Sequence, residues 1–204
     1  MKDVNATVIV NLDKSEEELF NSLKKTIRTG IRRAIKRGLV AEESNEWEEA
    51  YKVYSETRRR NKIKVRSLEH LKSLADKLFV CKKDGKIIAV NITWFTDIYD
   101  KTIPRTMTNA ILMEYSYERP NDLLYWAVFK YYKNLGYKKF DLGGYAIKVR
   151  ENLENVNRFK ESFGEVVYFQ KDYPLFKAIG RKLVRNIDFF WKLNRRLKNK
   201  ESYD

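Results

Sequence analysis

An Asp-Gly pair between two β-rich runs is the feature that most constrains how this chain folds. Residues 78–82 and 86–95 are rich in β-branched and aromatic side chains, and Asp84-Gly85 lies between them. Asp-Gly is a strong two-residue hairpin signal because both positions of the turn need positive φ. We therefore predict an antiparallel pair here, with residues 105–115 as the third strand of a meander.

The pattern on either side of this meander predicts alternating helices and single strands. Ser15 and Glu18 form a capping-box pattern that opens a helical region, and Gly38 is placed to end it. The other predicted elements are a strand at 6–12, helices at 45–60, 68–77, 123–136 and 156–163, and strands at 138–142 and 165–170. This order predicts an α+β fold with a mixed, mostly antiparallel sheet flanked by helices, as a single domain over residues 1–174.

The composition narrows the possible sites and partners. The 204 residues include one cysteine, Cys81, and one histidine, His70, which excludes an intramolecular disulfide and a Cys/His zinc cluster. We expect both to be structural and expect no metal site. The formal net charge of +14 favours polyanionic partners such as nucleic acid, phosphorylated substrates or anionic lipid. No apolar run is long enough for a signal peptide or a membrane span, so a cytoplasmic location is expected.

A basic run over residues 24–37 has two interpretations. It contains seven Lys or Arg residues and no acid. In one interpretation Arg28, Arg32 and Lys36 bind the phosphates of a nucleotide-linked acceptor or of tRNA. In the other, the charges are solvated and Ile27, Ile31 and Ile35 form the buried stripe of the helix. Both remain open.

A second candidate site lies at the end of the strand predicted for 138–142. Asp141 is followed by Gly143 and Gly144, which would let the backbone approach a ligand closely or adopt positive φ. Asp141 could accept a proton from an attacking amine or orient the acceptor. The alternative is an ordinary turn after a strand.

Three segments carry a resemblance to a known family. They read RTGIRRAIKRGL at 28–39, NDLLYWAVFKYYKNLGYKKFDLGGY at 121–145 and RFKESFG at 158–164. In order and spacing they resemble the Fem family of peptidoglycan-bridge aminoacyltransferases, which includes lipid II glycyltransferase-like proteins. The element order also resembles the GCN5-related acyltransferase (GNAT) topology. That topology implies a V-shaped split between the fourth and fifth strands, here 105–115 and 138–142.

The resemblance implies an activity and a set of site residues. Fem-like proteins transfer an aminoacyl group from aminoacyl-tRNA, or another activated acyl donor, onto an amine of a cell-wall or surface-glycan precursor, with no cofactor. The resemblance places Phe159 and Lys160 beside the acyl-transfer centre, with Lys160 catalytic, and adds Arg158 and Tyr145 as substrate-binding residues. The alternative for Lys160 is a solvated lysine on a short helix. Typical Fem proteins carry two such halves, whereas this chain has room for one.

Two other functions remain alternatives. The first is an acyl-CoA-dependent N-acyltransferase acting on a nucleotide amino sugar. Against it, the segment before the helix at 123–136 has no pyrophosphate-binding glycine, and Pro120 removes one backbone N–H donor. Glu118 and Asp122 oppose an anion, although Arg119 could meet a phosphate. The second is a nucleic-acid-binding module without catalysis.

Residues 175–204 are expected to form a basic, aromatic helix that packs on the domain or extends from it. Residues 177–200 contain nine basic residues and Asp188 as the single acid. Such a helix can lie at an anionic membrane surface. We therefore expect peripheral contact with the inner face of the membrane, close to a lipid-linked acceptor.

Overall fold

A computed structural model describes residues 3–147 and 151–171 of the chain. The chain divides into two compact units, of which the larger is Asn5–Phe169. The smaller comprises Met1–Val4 and Gln170–Asp204. The expected boundary at residue 174 and the basic helix expected at 175–204 lie outside the described residues.

The described residues contain seven strands, three of them consecutive and the others separated by helices, in agreement with the predicted α+β fold. The strands are β1 (Asp3–Asn11), β2 (Val40–Glu43), β3 (Lys77–Lys83), β4 (Lys86–Trp94), β5 (Arg105–Ile111), β6 (Lys139–Tyr145) and β7 (Glu165–Lys171). The α-helices are α1 (Glu16–Ser22), α2 (Lys25–Lys36), α3 (Trp47–Arg60), α4 (Leu68–Leu74), α5 (Pro120–Asn134) and α6 (Glu151–Lys160), and Met113–Glu118 is a 3-10 helix.

The strands form one mixed sheet in the order β2-β3-β4-β5-β6-β1-β7. Strands β2 to β5 pair antiparallel, and β1 pairs antiparallel with β6. Strands β5 and β6 run parallel and are paired at Arg105 and Asp141. Among the described residues no further pair joins these two strands, so the sheet splits beyond this point. The split lies between the two strands for which the resemblance to the GNAT topology implies it.

Local turn chemistry confirms the central hairpin. Asp84 and Gly85 both have positive φ, 49° and 78°, as the two-residue turn requires.

Two strands differ from the prediction. The strand predicted for 105–115 is too long, because β5 ends at Ile111 and a 3-10 helix follows. Strand β2 was not predicted, since four residues at the edge of the sheet show no buried alternation.

The basic region predicted as one helix is two helices, α1 and α2. The backbone is extended at Leu23 and Lys24, and the Arg28 guanidinium donates hydrogen bonds of 2.6 and 2.8 Å to the carbonyls of Asn21 and Leu23. Arg28 thus stabilises the non-helical segment between α1 and α2.

The buried stripe of α2 differs from the prediction at one position. Ile27 and Ile31 are buried as predicted, but Ile35 is 55% exposed and Ala34 is buried in its place. At 100° per residue, position 34 lies only about 20° from position 27 around the helix, whereas position 35 is rotated about 80° away from it. Helix α5 is buried on most sides, and its predicted core residues are all buried: Leu123, Tyr125, Trp126, Phe129 and Tyr132.

Close packing of α2 on the start of α5 depends on Gly30. A Cβ added to Gly30 would lie 1.9 Å from Asp122 Oδ2 and 3.0 Å from Arg119 Nε. We expect Gly30→Ala to lower the free energy of unfolding by about 1–3 kcal/mol, because this overpacking outweighs the better helix propensity of alanine. Urea unfolding measures the change. Thr29→Ala, on the exposed side of the same helix, is the control and should be nearly neutral. A Gly30→Ala protein as stable as wild type would contradict this packing.

Candidate functional site

The split between β5 and β6 opens into a cavity of about 580 Å³. Strands β4, β5 and β6 and helices α5 and α6 contribute to its walls. The lining residues are Trp94, Ile98, Arg105, Thr106, Met107, Thr108, Asn109, Asn121, Tyr125, Leu142, Gly143, Gly144, Asn155, Val156, Phe159 and Lys160. Among the described residues that line it, none is acidic and two are cationic, so the cavity favours neutral or negatively charged groups.

Lys160 reaches the cavity from the end of α6. Its Nζ donates a 2.7 Å hydrogen bond to the carbonyl of Gly144, at the end of β6. Burial, together with the nearby Arg105 cation, lowers the pKa of Lys160 from 10.5 to about 8 against the opposing effect of Asp141. A lysine of this pKa is part neutral at mildly alkaline pH, which is unusual for a surface residue and common at catalytic sites.

Asp141 lies behind the cavity wall and is 1% exposed. Its carboxylate accepts hydrogen bonds from the Thr7 hydroxyl, from Arg105 Nη1 at 2.8 Å and from the Gly143 amide at 2.7 Å. Asp141 does not line the cavity. With three donors bound and no exposed face, its carboxylate is placed to hold Arg105 and the turn at Gly143 rather than to take a proton from a substrate.

Arg105 is a site residue that the sequence analysis missed. It is 6% exposed, begins β5 and pairs with Asp141 across the parallel junction. Burial lowers the pKa of its guanidinium, and Asp141 opposes this shift. A buried arginine opposite a buried aspartate can be recognised only once the register of β5 and β6 is known.

The two glycines of the predicted site differ. Gly143 has a φ of 85°, and a Cβ there would lie 3.3 Å from the Thr106 carbonyl and 3.7 Å from Lys160 Nζ. The predicted positive φ therefore occurs at Gly143. Gly144 has open space where its Cβ would be, and it supplies the carbonyl that Lys160 binds.

The remaining residues predicted beside Lys160 separate into two groups. Phe159 lines the cavity, and its ring centroid lies 5.8 Å from that of Tyr125. Arg158 forms an exposed ion pair with Glu154 and does not line the cavity. Tyr145 also lies outside the lining, and its hydroxyl donates a 2.6 Å hydrogen bond to Glu161.

The basic side chains of α2 form a separate surface outside the cavity lining. Arg32 and Lys36 are exposed, and the Arg32 guanidinium lies 5.1 Å from the centre of the Phe20 ring. Arg37 donates a hydrogen bond to the Tyr117 carbonyl. In the described part of the chain, no carboxylate forms an ion pair with any of the seven basic residues of 24–37. This surface therefore keeps a net positive charge that can attract phosphates.

The start of α5 is covered by protein groups. Arg119 has a φ of 65° and forms a 2.7 Å ion pair with Asp122, whose carboxylate contacts the Gly30 position of α2. Burial raises the pKa of Asp122 to about 6 against the opposing effect of Arg119. Glu118 is also buried and pairs with Lys83. The acids expected to oppose an anion are thus paired with cations, and Asp122 fills the space beside the helix start.

Cys81 and His70 lie away from the cavity. Cys81 is buried in β3, and burial raises the pKa of its thiol to about 12; His70 is exposed on α4. Across residues 3–147 and 151–171, no three His, Cys, Asp or Glu side chains are placed to share a metal ion. No helix within those residues is long and apolar enough to cross a membrane.

Comparison with solved structures identifies the fold. The structure is similar to that of FemX, with a TM-score of 0.66 and 18% sequence identity, over 85% of this chain and 63% of that chain. It is also similar to L-PGS from Bacillus licheniformis, with a TM-score of 0.59 and 18% identity, over 92% of this chain and 66% of that chain. This chain therefore spans slightly less than two thirds of either protein.

Comparison by sequence identifies the family. No curated protein matches the chain significantly. The family model described as the acetyltransferase (GNAT) domain matches residues 21–161, which is more than half of the chain. The split sheet and the cavity beside it agree with this match, and the protein therefore belongs to the acetyltransferase (GNAT) domain family of acyltransferases.

Proposed function

We propose that this protein transfers an aminoacyl group from aminoacyl-tRNA onto an amine of a cell-wall or surface-glycan precursor. The observation that carries the proposal is Lys160, a lysine of lowered pKa at the split between β5 and β6. It faces a cavity whose described lining contains no acidic residue. The substrate class comes from the resemblance of residues 28–39, 121–145 and 158–164 to the Fem family. The similarity to FemX, at 18% identity, supports the fold alone.

The reaction needs no covalent enzyme intermediate. The neutral acceptor amine attacks the ester carbonyl, the new C–N bond forms, and the C–O bond to the tRNA ribose breaks. One amine proton leaves to solvent, and the ribose oxygen takes up a proton as it departs. The Lys160 ammonium is the group that donates to the oxyanion, and a well-placed donor of this kind contributes about 10²- to 10³-fold in rate.

The residues around Lys160 act on its position and charge. The Gly144 carbonyl accepts its hydrogen bond, and Gly143 leaves room for Nζ beside β5. Asp141 and Arg105 set the local field with opposite effects on the pKa of Lys160. Asp141 is therefore a positioning residue in this proposal.

Two observations favour tRNA over coenzyme A as the donor carrier. Asp122 and the α2 backbone at Gly30 occupy the start of α5, where a GNAT protein would hold the pyrophosphate of coenzyme A. The exposed cations of α2, including Arg32 and Lys36, offer phosphate contacts along the helix. The same basic surface of α2 can also bind the phosphates of a nucleotide- or lipid-linked acceptor.

The family description, an acetyltransferase domain, favours a second candidate, transfer of an acetyl group from acetyl-CoA. A nucleotide amino sugar is the acceptor that we consider for it. The two candidates differ in the donor that the protein binds. A non-catalytic nucleic-acid-binding role would instead give tRNA binding without transfer.

A donor assay separates these functions. The purified protein is incubated with a nucleotide-linked cell-wall peptide that carries a free amine, and with either labelled aminoacyl-tRNA or labelled acetyl-CoA. We expect label transfer from aminoacyl-tRNA and no calorimetric binding of acetyl-CoA at micromolar concentrations. Charge reversal by Arg32→Glu with Lys36→Glu should weaken tRNA binding and reduce its salt dependence. Lys62→Glu and Lys101→Glu, on exposed residues elsewhere, serve as the control pair. Micromolar acetyl-CoA binding with acetyl transfer would contradict the proposed donor.

A further inference from the structure

Three buried polar atoms at the cavity have no hydrogen-bond partner among the described residues. They are the indole Nε1 of Trp94, the amide Nδ2 of Asn109 and the amide Oδ1 of Asn121. The three residues come from β4, β5 and the first turn of α5, and all line the cavity beside Lys160. Buried polar atoms are nearly always paired in folded proteins, so three unpaired ones at a single cavity indicate that a ligand pairs with them.

The chemistry of these atoms defines the ligand group. Trp94 and Asn109 present two N–H donors, and Asn121 presents one acceptor. An amide group matches this set, because its carbonyl oxygen can accept two hydrogen bonds while its N–H donates one. None of the three atoms carries a charge, whereas charged ligand groups are bound preferentially by charged partners. The matching ligand group is therefore uncharged.

The rest of the lining supports an uncharged ligand with an apolar body. Ile98, Met107, Val156 and Phe159 supply apolar surface. The Arg105 charge is already paired with Asp141, and no described lining residue is acidic. A cationic group would therefore enter without a counter-charge and close to the Lys160 ammonium.

We propose that this cavity binds an uncharged, amide-bearing segment of a substrate, and that Trp94, Asn109 and Asn121 recognise its amide groups. The position of this segment beside the reacting carbonyl rests on the proposed function. Under that function, the segment is expected to be the peptide part of the acceptor. The pantetheine arm of a thioester donor carries the same amide chemistry.

Binding of small probes tests the inference without any turnover. The protein has four tryptophans, so the indole N–H region of a ¹H–¹⁵N spectrum holds up to four signals, and Trp94→Phe assigns one of them. The probes are N-acetylalanylalanine methylamide, the same dipeptide with a free ammonium in place of the acetyl group, and pantetheine. For the roughly 15 heavy atoms of the uncharged dipeptide, a dissociation constant on the order of 1 mM is expected.

The uncharged dipeptide should shift the Trp94 signal saturably, and the ammonium form should bind at least about tenfold more weakly. Asn121→Leu and the nearly isosteric Asn109→Asp should each weaken the uncharged probe about tenfold. Asn134→Leu, at the exposed end of α5, is the matched control and should leave its binding unchanged.

The outcomes separate this inference from the proposed function. Binding of the dipeptide without pantetheine supports both. Binding of pantetheine at Trp94 with the same loss in the asparagine variants supports amide recognition and argues against tRNA as donor. If neither amide probe moves the Trp94 signal, or if the ammonium form binds equally well, the inference is wrong.

Discussion

Replacing Lys160 with methionine is expected to lower kcat for acyl transfer about 10²- to 10³-fold while KM changes little. Methionine keeps the length and apolar stem of the side chain but removes the donor to the oxyanion. An interaction made in the transition state and absent from the ground state affects kcat before KM. Lys160→Ala should have the same effect. Steady-state transfer rates at saturating acceptor measure it.

The control for Lys160→Met is a lysine of the same chain that does not line the cavity. Lys130 lies on the partly exposed side of α5, and Lys130→Met should keep kcat within about twofold of wild type. Circular dichroism and thermal unfolding must show that both variants are folded. A folded Lys160→Met protein with wild-type kcat would mean that Lys160 is a surface charge on α6 and has no catalytic role.

Breaking the Arg105–Asp141 pair from either side is expected to cost about 3–5 kcal/mol of unfolding free energy. Both residues are almost fully buried, at 6% and 1% exposure, so either single replacement leaves a charge without a partner. Arg105→Met and Asp141→Leu each do this. The double variant should lose clearly less than the sum of the singles, although it still lacks the hydrogen bonds that Asp141 accepts from Thr7 and Gly143. Urea unfolding of the four proteins gives the coupling.

Asp141→Asn tests positioning rather than stability. Asp141 raises the pKa of Lys160 and Arg105 lowers it, so removing the carboxylate charge should move the pKa of Lys160 below about 8. The corresponding break in the pH–rate profile then moves to lower pH. If Asp141 were purely structural, Asp141→Asn would change stability and leave the break in the pH–rate profile in place. In the unfolding experiment, additive stability losses in the Arg105→Met, Asp141→Leu double variant would argue against a coupled pair.

The central hairpin and the helix that follows the meander could be predicted because their signals are local. Asp84-Gly85 fixes the turn by itself, and the aromatic residues of α5, such as Tyr125 and Phe129, are apolar on most sides of the helix. Strand β2 is stabilised by pairing with β3 at the sheet edge, and four residues carry too little pattern to reveal it. Ala34 replaces Ile35 in the core because helix rotation outweighs side-chain size.

Only those parts of the site whose signals are local in the sequence could be predicted. Lys160 and Gly143 lie in short segments that the family resemblance covers, and the structure brings them to one cavity. Arg105 and Asp141 are 36 residues apart, and their contact depends on the parallel register of β5 and β6. Trp94, Asn109 and Asn121 meet through three different elements, so no spacing in the sequence links them.

The pH dependence of kcat in wild type and Lys160→Arg tests most directly whether the Lys160 cation drives transfer. The acceptor amine must be neutral, so the rate should first rise with pH towards the pKa of a free lysine amine, near 10.4. Lys160 must be protonated, and its contribution is lost as pH rises through about 8. The wild-type profile should therefore rise below about 8 and flatten above it. Arginine stays charged throughout this range, so the Lys160→Arg profile should keep rising past 8. A wild-type rate that keeps rising through pH 8, or a break that persists in Lys160→Arg, would contradict a catalytic Lys160 cation.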